Sequence, residues 1–285
     1  MPSFDPDLEN ELRSLVKRRL QDDLDLRPHA AVEARWIVQH ALNKSVNGEQ
    51  VRVLAQSMTT QRLNGAPLSR IFGEAEFYGL PVGVNQATLD PRNDTEALID
   101  LILDHIDDRP LSVLDLGTGT GCIPIALLSE RQNWRALGVD LAPEAVRQAR
   151  LNRDDDRLSD YQLVSRLDFA VSDWFDGLGD KAVYDLIVSN PPYLTAQEMT
   201  ELDASVRGHD PDLALDGGPD GLAPYRVIFD QALAWLSAAG WVAVEIGWQQ
   251  KDDVTAIAMA NGFQLIAARQ DLGQRDRAML FQRVN

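Results

Sequence analysis

The sequence predicts an α/β fold: a mostly parallel sheet covered by helices on both faces, preceded by a small N-terminal helical bundle. Three observations carry this. From residue 111 onward, β-branched apolar runs alternate with amphipathic stretches, the pattern of strands joined by crossover helices. Before residue 72, apolar side chains recur at helical spacing. One apolar run, Ser112-Val113-Leu114-Asp115-Leu116, passes straight into a glycine-rich turn and then a helical stretch.

The N-terminal part reads as helices over about residues 6–72. Leu8, Leu12, Val16 and Leu20 recur every four residues, and Val32, Ala34, Ile37, Val38 and Ala41 form a second apolar stripe. Asn47-Gly48 and Asn64-Gly65-Ala66-Pro67 punctuate these helices. Glu76 to Val84, aromatic and β-branched with two glycines, predicts a hairpin or extended linker. Beyond it, strands are expected at 112–116, 135–140, 167–172, 184–189, 241–246, 263–269 and 277–284. Helices are expected between them at 121–130, 143–152, 224–238 and 249–260. The division is thus 1–75 helical, 76–90 hairpin linker and 91–285 sheet domain.

Composition narrows the function classes. The chain has 285 residues, 45% hydrophobic and 25% charged, ordinary for a globular protein with a sizeable core. No apolar run approaches the roughly 18 residues of a membrane span, and the acidic start lacks a signal pattern, so no membrane and a cytoplasmic location are expected. Cys122 is the single cysteine, which excludes an internal disulfide and reads as a small buried filler. The four histidines show no ligand spacing, and Asp154-Asp155-Asp156 reads as a solvated loop, so no metal is expected. The net charge of −17 is uneven: residues 1–80 hold 10 basic and 11 acidic side chains, the remainder 17 and 33. Phosphate-gripping proteins show a basic footprint, so direct nucleic-acid binding is not expected of the acidic half.

Gly117-Thr118-Gly119-Thr120-Gly121 is placed to receive a ligand. Glycines admit positive φ and close approach, and the following helix N-terminus offers unpaired N–H groups. The spacing is not the dinucleotide Gly-x-Gly-x-x-Gly, which disfavours a nicotinamide dehydrogenase. Asp140, 19 residues past Gly121, ends the next strand where a carboxylate can accept from ribose hydroxyls. Asp173 and Trp174 follow the third strand, where a carboxylate can meet an adenine amine and an aromatic can line its face. Trp174 can equally be a core anchor. Together these strand ends outline an adenosine-containing ligand at the carboxyl edge of the sheet.

Tyr184 to Ser189 is an apolar strand ending in Asn190-Pro191-Pro192-Tyr193. An amide or aromatic-amine nitrogen is a poor nucleophile because its lone pair is delocalised. Asn190 can accept from one N–H of such a group and the Pro191 carbonyl from the other. Pro192 restricts the residue before it to an extended shape, and Tyr193 can stack on the planar group. Acceptors aimed this way stabilise the charge that develops on nitrogen during methyl transfer.

At these residues the sequence resembles the HemK/PrmC family of release factor glutamine methyltransferases. Supporting segments are Pro67 to Gly73, Glu76 to Leu80, Pro91-Arg92-Asn93-Asp94-Thr95-Glu96, Asp115 to Cys122, Asn190 to Tyr193, Leu215 to Leu222 and Glu245 to Gln250. Asn93 stands where the family usually has proline. The resemblance implies a seven-stranded Rossmann-like class I methyltransferase sheet and an N-terminal bundle that recognises the protein substrate. It implies S-adenosylmethionine held by Gly117, Thr118, Gly119, Thr120, Gly121, Asp140, Trp174 and Asn190, to which the strand-end reading adds Asp173. It further implies catalysis by Asn190, Pro191 and Tyr193, with the glutamine of a Gly-Gly-Gln motif in class I peptide release factors held by Asn190, Pro191, Pro192 and Tyr193. A monomer is expected. Two readings remain beside it: methylation of an adenine amine in nucleic acid, and methylation of a ribosomal-protein glutamine. A binding module with a dead cofactor site conflicts with the intact glycine, Asp140 and Asn190 set.

Overall fold

The computed structural model describes residues 5–179, 183–202 and 208–284; Met1 to Phe4 of the acidic start lie outside these. The chain forms two compact units, residues 1–73 and 74–285.

The first unit contains helices α1 (Pro6–Gln21), α2 (Ala30–Lys44), α3 (Gly48–Leu63) and α4 (Leu68–Phe72). Asp5 caps α1 by accepting from the Asp7 N–H at 2.9 Å, and Asn47 caps α3 by accepting from Gln50, each satisfying an orphan donor of a first turn. The spacing-four residues Leu12, Val16 and Leu20 are buried against Ile37, Val38 and Ala41 of α2 and Val51 and Ala55 of α3. Arg62 forms a two-pronged ion pair with the buried Glu33.

The second unit begins with strands β1 (Glu74–Phe77) and β2 (Leu80–Gly83), paired antiparallel. Tyr78 and Gly79 between them both have positive φ, 53° and 73°, as a two-residue type I′ turn requires. The hairpin begins at Glu74, two residues before the start its sequence predicts, and it is no free linker. Phe77, Leu80 and Val82 belong to the main core, and Asn152 bonds both the N–H and the carbonyl of Gly83.

Then follow α5 (Glu96–His105), β3 (Ser112–Leu116), α6 (Cys122–Glu130), β4 (Arg135–Asp140), α7 (Pro143–Arg153), β5 (Leu167–Val171), β6 (Tyr184–Ser189) and α8 (Ala196–Glu201). The unit closes with α9 (Ala223–Ala232), β7 (Leu236–Glu245), α10 (Lys251–Ala260), β8 (Phe263–Gln270) and β9 (Asp276–Arg283). The seven-stranded sheet has the order β5-β4-β3-β6-β7-β9-β8. The first five strands are parallel, and β9 inserts antiparallel between β7 and β8. This is the α/β architecture expected. Two apolar clusters cover its faces, one around Trp134 and Phe169, the other around Tyr225, Phe229, Phe263 and Phe281.

One expected element fails. The helix predicted over 224–238 stops at Ala232, and β7 starts at Leu236, five residues before the predicted strand. The run Leu233-Ala234-Trp235-Leu236 has good helix formers, but tertiary pairing overrides that preference. The Tyr184 N–H donates to the Trp235 carbonyl at 2.8 Å, Leu236 pairs with Tyr184, and Trp235 stacks on Phe175 at 5.9 Å. Among the described residues no helix is long and apolar enough to cross a membrane.

Candidate active site

The carboxyl ends of β3, β4, β5 and β6 converge on one edge of the sheet. Gly117, Gly119 and Gly121 take φ of +70°, +54° and +78°, so the turn after β3 is built on left-handed backbone that glycine adopts without strain. The three glycines do different work. A Cβ on Gly117 or Gly119 would meet nothing within 4 Å, because both face open space. A Cβ on Gly121 would strike Phe169 and Ala149; this glycine lets the start of α6 pack onto β5 and α7.

Asp140 fastens the turn to β4. Its Oδ2 accepts from the Gly119 N–H at 2.8 Å and its Oδ1 from the Ala142 N–H at 2.9 Å. Burial raises its pKa, and the two N–H bonds oppose the rise. After β5, Trp174 has φ of +46°, a position a bulky residue holds only when its surroundings fix it. Ser172 fixes it: its hydroxyl donates to the Trp174 carbonyl at 2.7 Å and accepts from the Gly177 N–H at 2.8 Å. After β6, the Asn190 Nδ2 donates to the Thr95 Oγ1 at 3.1 Å.

Two cavities open here. The first, about 640 Å³, is lined by Gly117, Thr118, Gly119, Thr120, Asp140, Asp173, Trp174, Asn190 and Pro192 among others. Gly121 does not line it. Trp174 lines this cavity and also packs on the apolar cluster beneath. Cys122 reaches its wall, with a thiol pushed up to about 12 by burial, a packing role rather than a nucleophile's. The second cavity, about 530 Å³, is lined by Asn190, Pro191 and Tyr193 together with Arg92, Asp94, Glu245 and Arg277. Asn190 lines both cavities; within Asn-Pro-Pro-Tyr, Pro192 faces the first and Pro191 and Tyr193 the second.

The segments matched only by resemblance acquire positions. Gln250 donates to the carbonyls of Tyr193 and Gly221 at 3.0 and 3.1 Å and accepts from the Gly247 N–H. Leu194 and Gly217 exchange backbone bonds with Leu215 and Leu194. These contacts brace the backbone of Tyr193 from two sides. Arg92 pairs with the buried Asp210 at 2.5 Å. Arg277 pairs with Asp94 and Asp271 at 3.2 and 3.1 Å and donates weakly to the Tyr193 hydroxyl at 3.4 Å. Thr95, Glu245 and Arg277 were not among the residues singled out from the sequence for chemistry. The only signal for the first two was their place in matched segments, and Arg277 had none.

Two carboxyls lie deep in this region. Burial pushes Asp115 up to about 7, with Thr118 opposing and Asp140 adding to the rise. Burial likewise pushes Glu245 up to about 7, against Thr95 and Arg277. A carboxyl raised in this way holds a proton in the folded protein that the unfolded chain releases. Its contribution to stability is therefore full below its ordinary value of 3.8 for Asp115 and is lost as pH rises through about 7. Asp115→Asn removes this dependence. Denaturant unfolding across pH 4 to 8 should thus show the wild type losing stability relative to Asp115→Asn as pH rises, then a constant difference. Parallel profiles would place Asp115 in an ordinary environment.

Known proteins resemble this chain along most of its length. The family model described as a methyltransferase small domain matches residues 93–206. The release factor glutamine methyltransferase of Agrobacterium fabrum is 41% identical, over 82% of this chain and 80% of its own length. The one from Haemophilus influenzae is 33% identical, over 88% and 91%. A crystal structure of a methyltransferase from Pyrococcus furiosus shares the fold at 15% identity, with a TM-score of 0.51 over 72% of this chain and 90% of that one. With a glycine turn, an acidic strand end and Asn-Pro-Pro-Tyr at two cavities that share Asn190, and with such relatives along most of its length, this chain is a methyltransferase of the release factor glutamine methyltransferase family.

Proposed function

We propose that the protein transfers a methyl group from S-adenosylmethionine to the side-chain amide nitrogen of the glutamine in the Gly-Gly-Gln motif of class I peptide release factors. The observation that carries this is Asn190 at the junction of the two cavities, with the glycine turn and Asp140 on one side and Pro191 and Tyr193 on the other.

The residues of the first cavity fit the cofactor. Gly117 and Gly119 leave open the space that any side chain would fill. Each Asp140 oxygen spends one lone pair on a backbone N–H and keeps another for a ribose hydroxyl. Asp173 offers an acceptor to an adenine amine, and Trp174 lines the ring's side. When bound, S-adenosylmethionine supplies an electrophilic methyl group on a sulfonium.

In the second cavity the side chains orient the acceptor. Asn190 has committed its Nδ2 to Thr95, which leaves Oδ1 to accept from one N–H of the glutamine amide. The Pro191 carbonyl accepts from the other. Both hydrogen bonds strengthen as positive charge grows on the nitrogen, so they favour the transition state over the bound amide. Tyr193 stacks on the amide plane. The methylated nitrogen is acidic and sheds its proton to water without a dedicated base.

The first unit serves recognition. Val32 and Trp36, one turn apart on α2, are 43% and 48% exposed, an apolar pair suited to a protein partner. Trp36→Ala should raise the KM for an intact release factor several-fold, on the order of 1–2 kcal/mol for a rim-to-core aromatic contact, with cofactor affinity unchanged. An unchanged KM would assign recognition elsewhere.

The reaction takes place in the cytoplasm, where release factors work. Methylation of an adenine amine is disfavoured by the acidic catalytic half, since a flipped base needs a basic groove for its strand. The test is methyl transfer from labelled cofactor to a purified release factor, a ribosomal protein and DNA in parallel. Label on the release factor alone is expected; label on DNA or on the ribosomal protein instead would overturn the proposal.

A further inference from the structure

The segment Asn190 to Tyr193 is poorly able to hold its own shape with backbone donors, because Pro191 and Pro192 have no N–H. Its position is therefore set at its two ends. The front end is tied into the sheet: Ser189 pairs with Leu116 and Val244, and its hydroxyl donates to the Leu116 carbonyl at 2.7 Å. At the far end a clamp takes the sheet's place. The Leu194 N–H donates to the Leu215 carbonyl at 3.0 Å, and the Leu194 carbonyl accepts from the Gly217 N–H at 2.9 Å. The Tyr193 carbonyl accepts from the Gln250 Nε2 at 3.0 Å. The approach is close enough to demand glycine. A Cβ on Gly217 would lie 2.8 Å from the Tyr193 Cα, and one on Gly221 would overlap the Tyr193 carbonyl oxygen and lie 2.6 Å from the Gln250 Nε2.

Gln250 is the side chain on which the clamp closes. Its Nε2 gives one hydrogen to Tyr193 and the other to the Gly221 carbonyl at 3.1 Å, while its Oε1 accepts from the Gly247 N–H at 2.9 Å. With carbonyls at one end and an N–H at the other, only one orientation of this amide satisfies all three. Gln250 stands at the N-cap of α10, a place that favours the shorter Ser, Thr, Asp or Asn, and its side chain makes no cap bond there. The length of a glutamine serves Tyr193 instead of the helix. We propose that Gln250 is a positioning residue for methyl transfer. With Gly217 and Gly221 leaving room, it fixes the Tyr193 backbone, and through it the direction of the Pro191 carbonyl and the Tyr193 ring relative to Asn190. Without its two hydrogens the Tyr193 and Gly221 carbonyls face each other undonated and repel, and the far end of Asn190 to Tyr193 shifts. The loop's Asp216, Gly217 and Gly218 line the first cavity, but the loop keeps its own bonds to Leu194, so the cofactor wall stays in place. The assignment rests on the reading of Asn190 to Tyr193 as the acceptor site.

The test uses the full chain and a purified release factor, with Gln250→Leu, Gln250→Glu and Gly221→Ala alone, and Gln250→Leu combined with Asn190→Ala. Misplacing a catalytic group can cost up to about 100-fold, so Gln250→Leu should lower kcat by roughly 10- to 100-fold. The KM for the release factor and the cofactor Kd should stay within about twofold. Gln250→Glu keeps the volume and the acceptor oxygen but, ionised, has no hydrogen for either carbonyl, so it should fall as far as Gln250→Leu. Gly221→Ala pushes Tyr193 and Gln250 apart from the opposite side and should show the same split between kcat and Kd. With Asn190 truncated there is less alignment left to lose, so Gln250→Leu should cost little further in the Asn190→Ala background. Gln250→Glu and Gly221→Ala keep the test open if Gln250→Leu folds poorly. Unchanged kcat in Gln250→Leu and Gly221→Ala, near-normal turnover in Gln250→Glu, a loss confined to the cofactor Kd, or an equal loss with and without Asn190 would overturn the assignment while leaving the acceptor site intact. A wild-type enzyme that leaves the release factor unmethylated would defeat the underlying reading, and this one with it.

Discussion

Asn190→Ala is expected to lower the single-turnover rate of methyl transfer by about 100- to 1000-fold, the usual cost of one preorganised electrostatic contact. The KM for the release factor should change far less, because the lost hydrogen bond matters most as charge builds on nitrogen. Two features of the structure sharpen this expectation. Asn190 lines both cavities, so its truncation removes the proposed acceptor for the amide together with the donor to Thr95. Its Nδ2 is already held by Thr95, so the remaining oxygen is oriented before substrate arrives. Asn190→Asp should be impaired too, since it replaces the donor to Thr95 with an acceptor and adds a negative charge at the acceptor site. Single-turnover transfer at saturating cofactor, with Tyr193→Ala alongside, measures this. A near-normal rate in Asn190→Ala would remove the motif from the chemistry.

Gly119→Val should weaken cofactor binding by on the order of 100-fold or more, equivalent to about 2.7 kcal/mol. The backbone at Gly119 has φ of +54°, where an L-residue costs about 1–2 kcal/mol, and a β-branched one more. The space beyond its Cα is open, so the added methyl groups enter the first cavity and not the core. The same strain pulls on the Gly119 N–H bond to Asp140, which shapes the acidic strand end. Gly121→Ala makes the contrast. There a Cβ meets Phe169 and Ala149, so stability should fall before binding does. Calorimetry of the cofactor and denaturant midpoints for both variants separate the two effects. Equal affinity in Gly119→Val and wild type would mean that the turn does not touch the cofactor.

How far the site was legible follows from which signals are local. The ends of β3, β4, β5 and β6 could be read because each strand is a short apolar run stopped by glycine, aspartate or proline, and the two cavities open at those stops. The roles of the three glycines could not be separated, since a glycine facing a ligand and one facing Phe169 look alike in sequence. The end of α9 was missed because Leu233 to Leu236 suits a helix until β6 is there to pair with it. α5 has a clean apolar face in Leu98, Ile99, Leu101 and Ile102 but precedes the stretch in which strands and helices alternate. The second cavity was beyond reach for a stronger reason. Its walls include Asp94, Glu245 and Arg277, from the turn before α5, the end of β7 and the start of β9, and only the sheet order brings them together.

The central claim is that the atom methylated is an amide nitrogen presented to Asn190 and Pro191. Fragmentation mass spectrometry of a release factor after reaction with isotopically labelled cofactor tests it most directly, with a second release factor in which the glutamine of Gly-Gly-Gln is replaced by glutamate. The prediction is a single added methyl on that glutamine's side-chain nitrogen and none on the glutamate variant, which has no NH2 to hold. A methyl on another residue, or an equal yield with the glutamate variant, would contradict it.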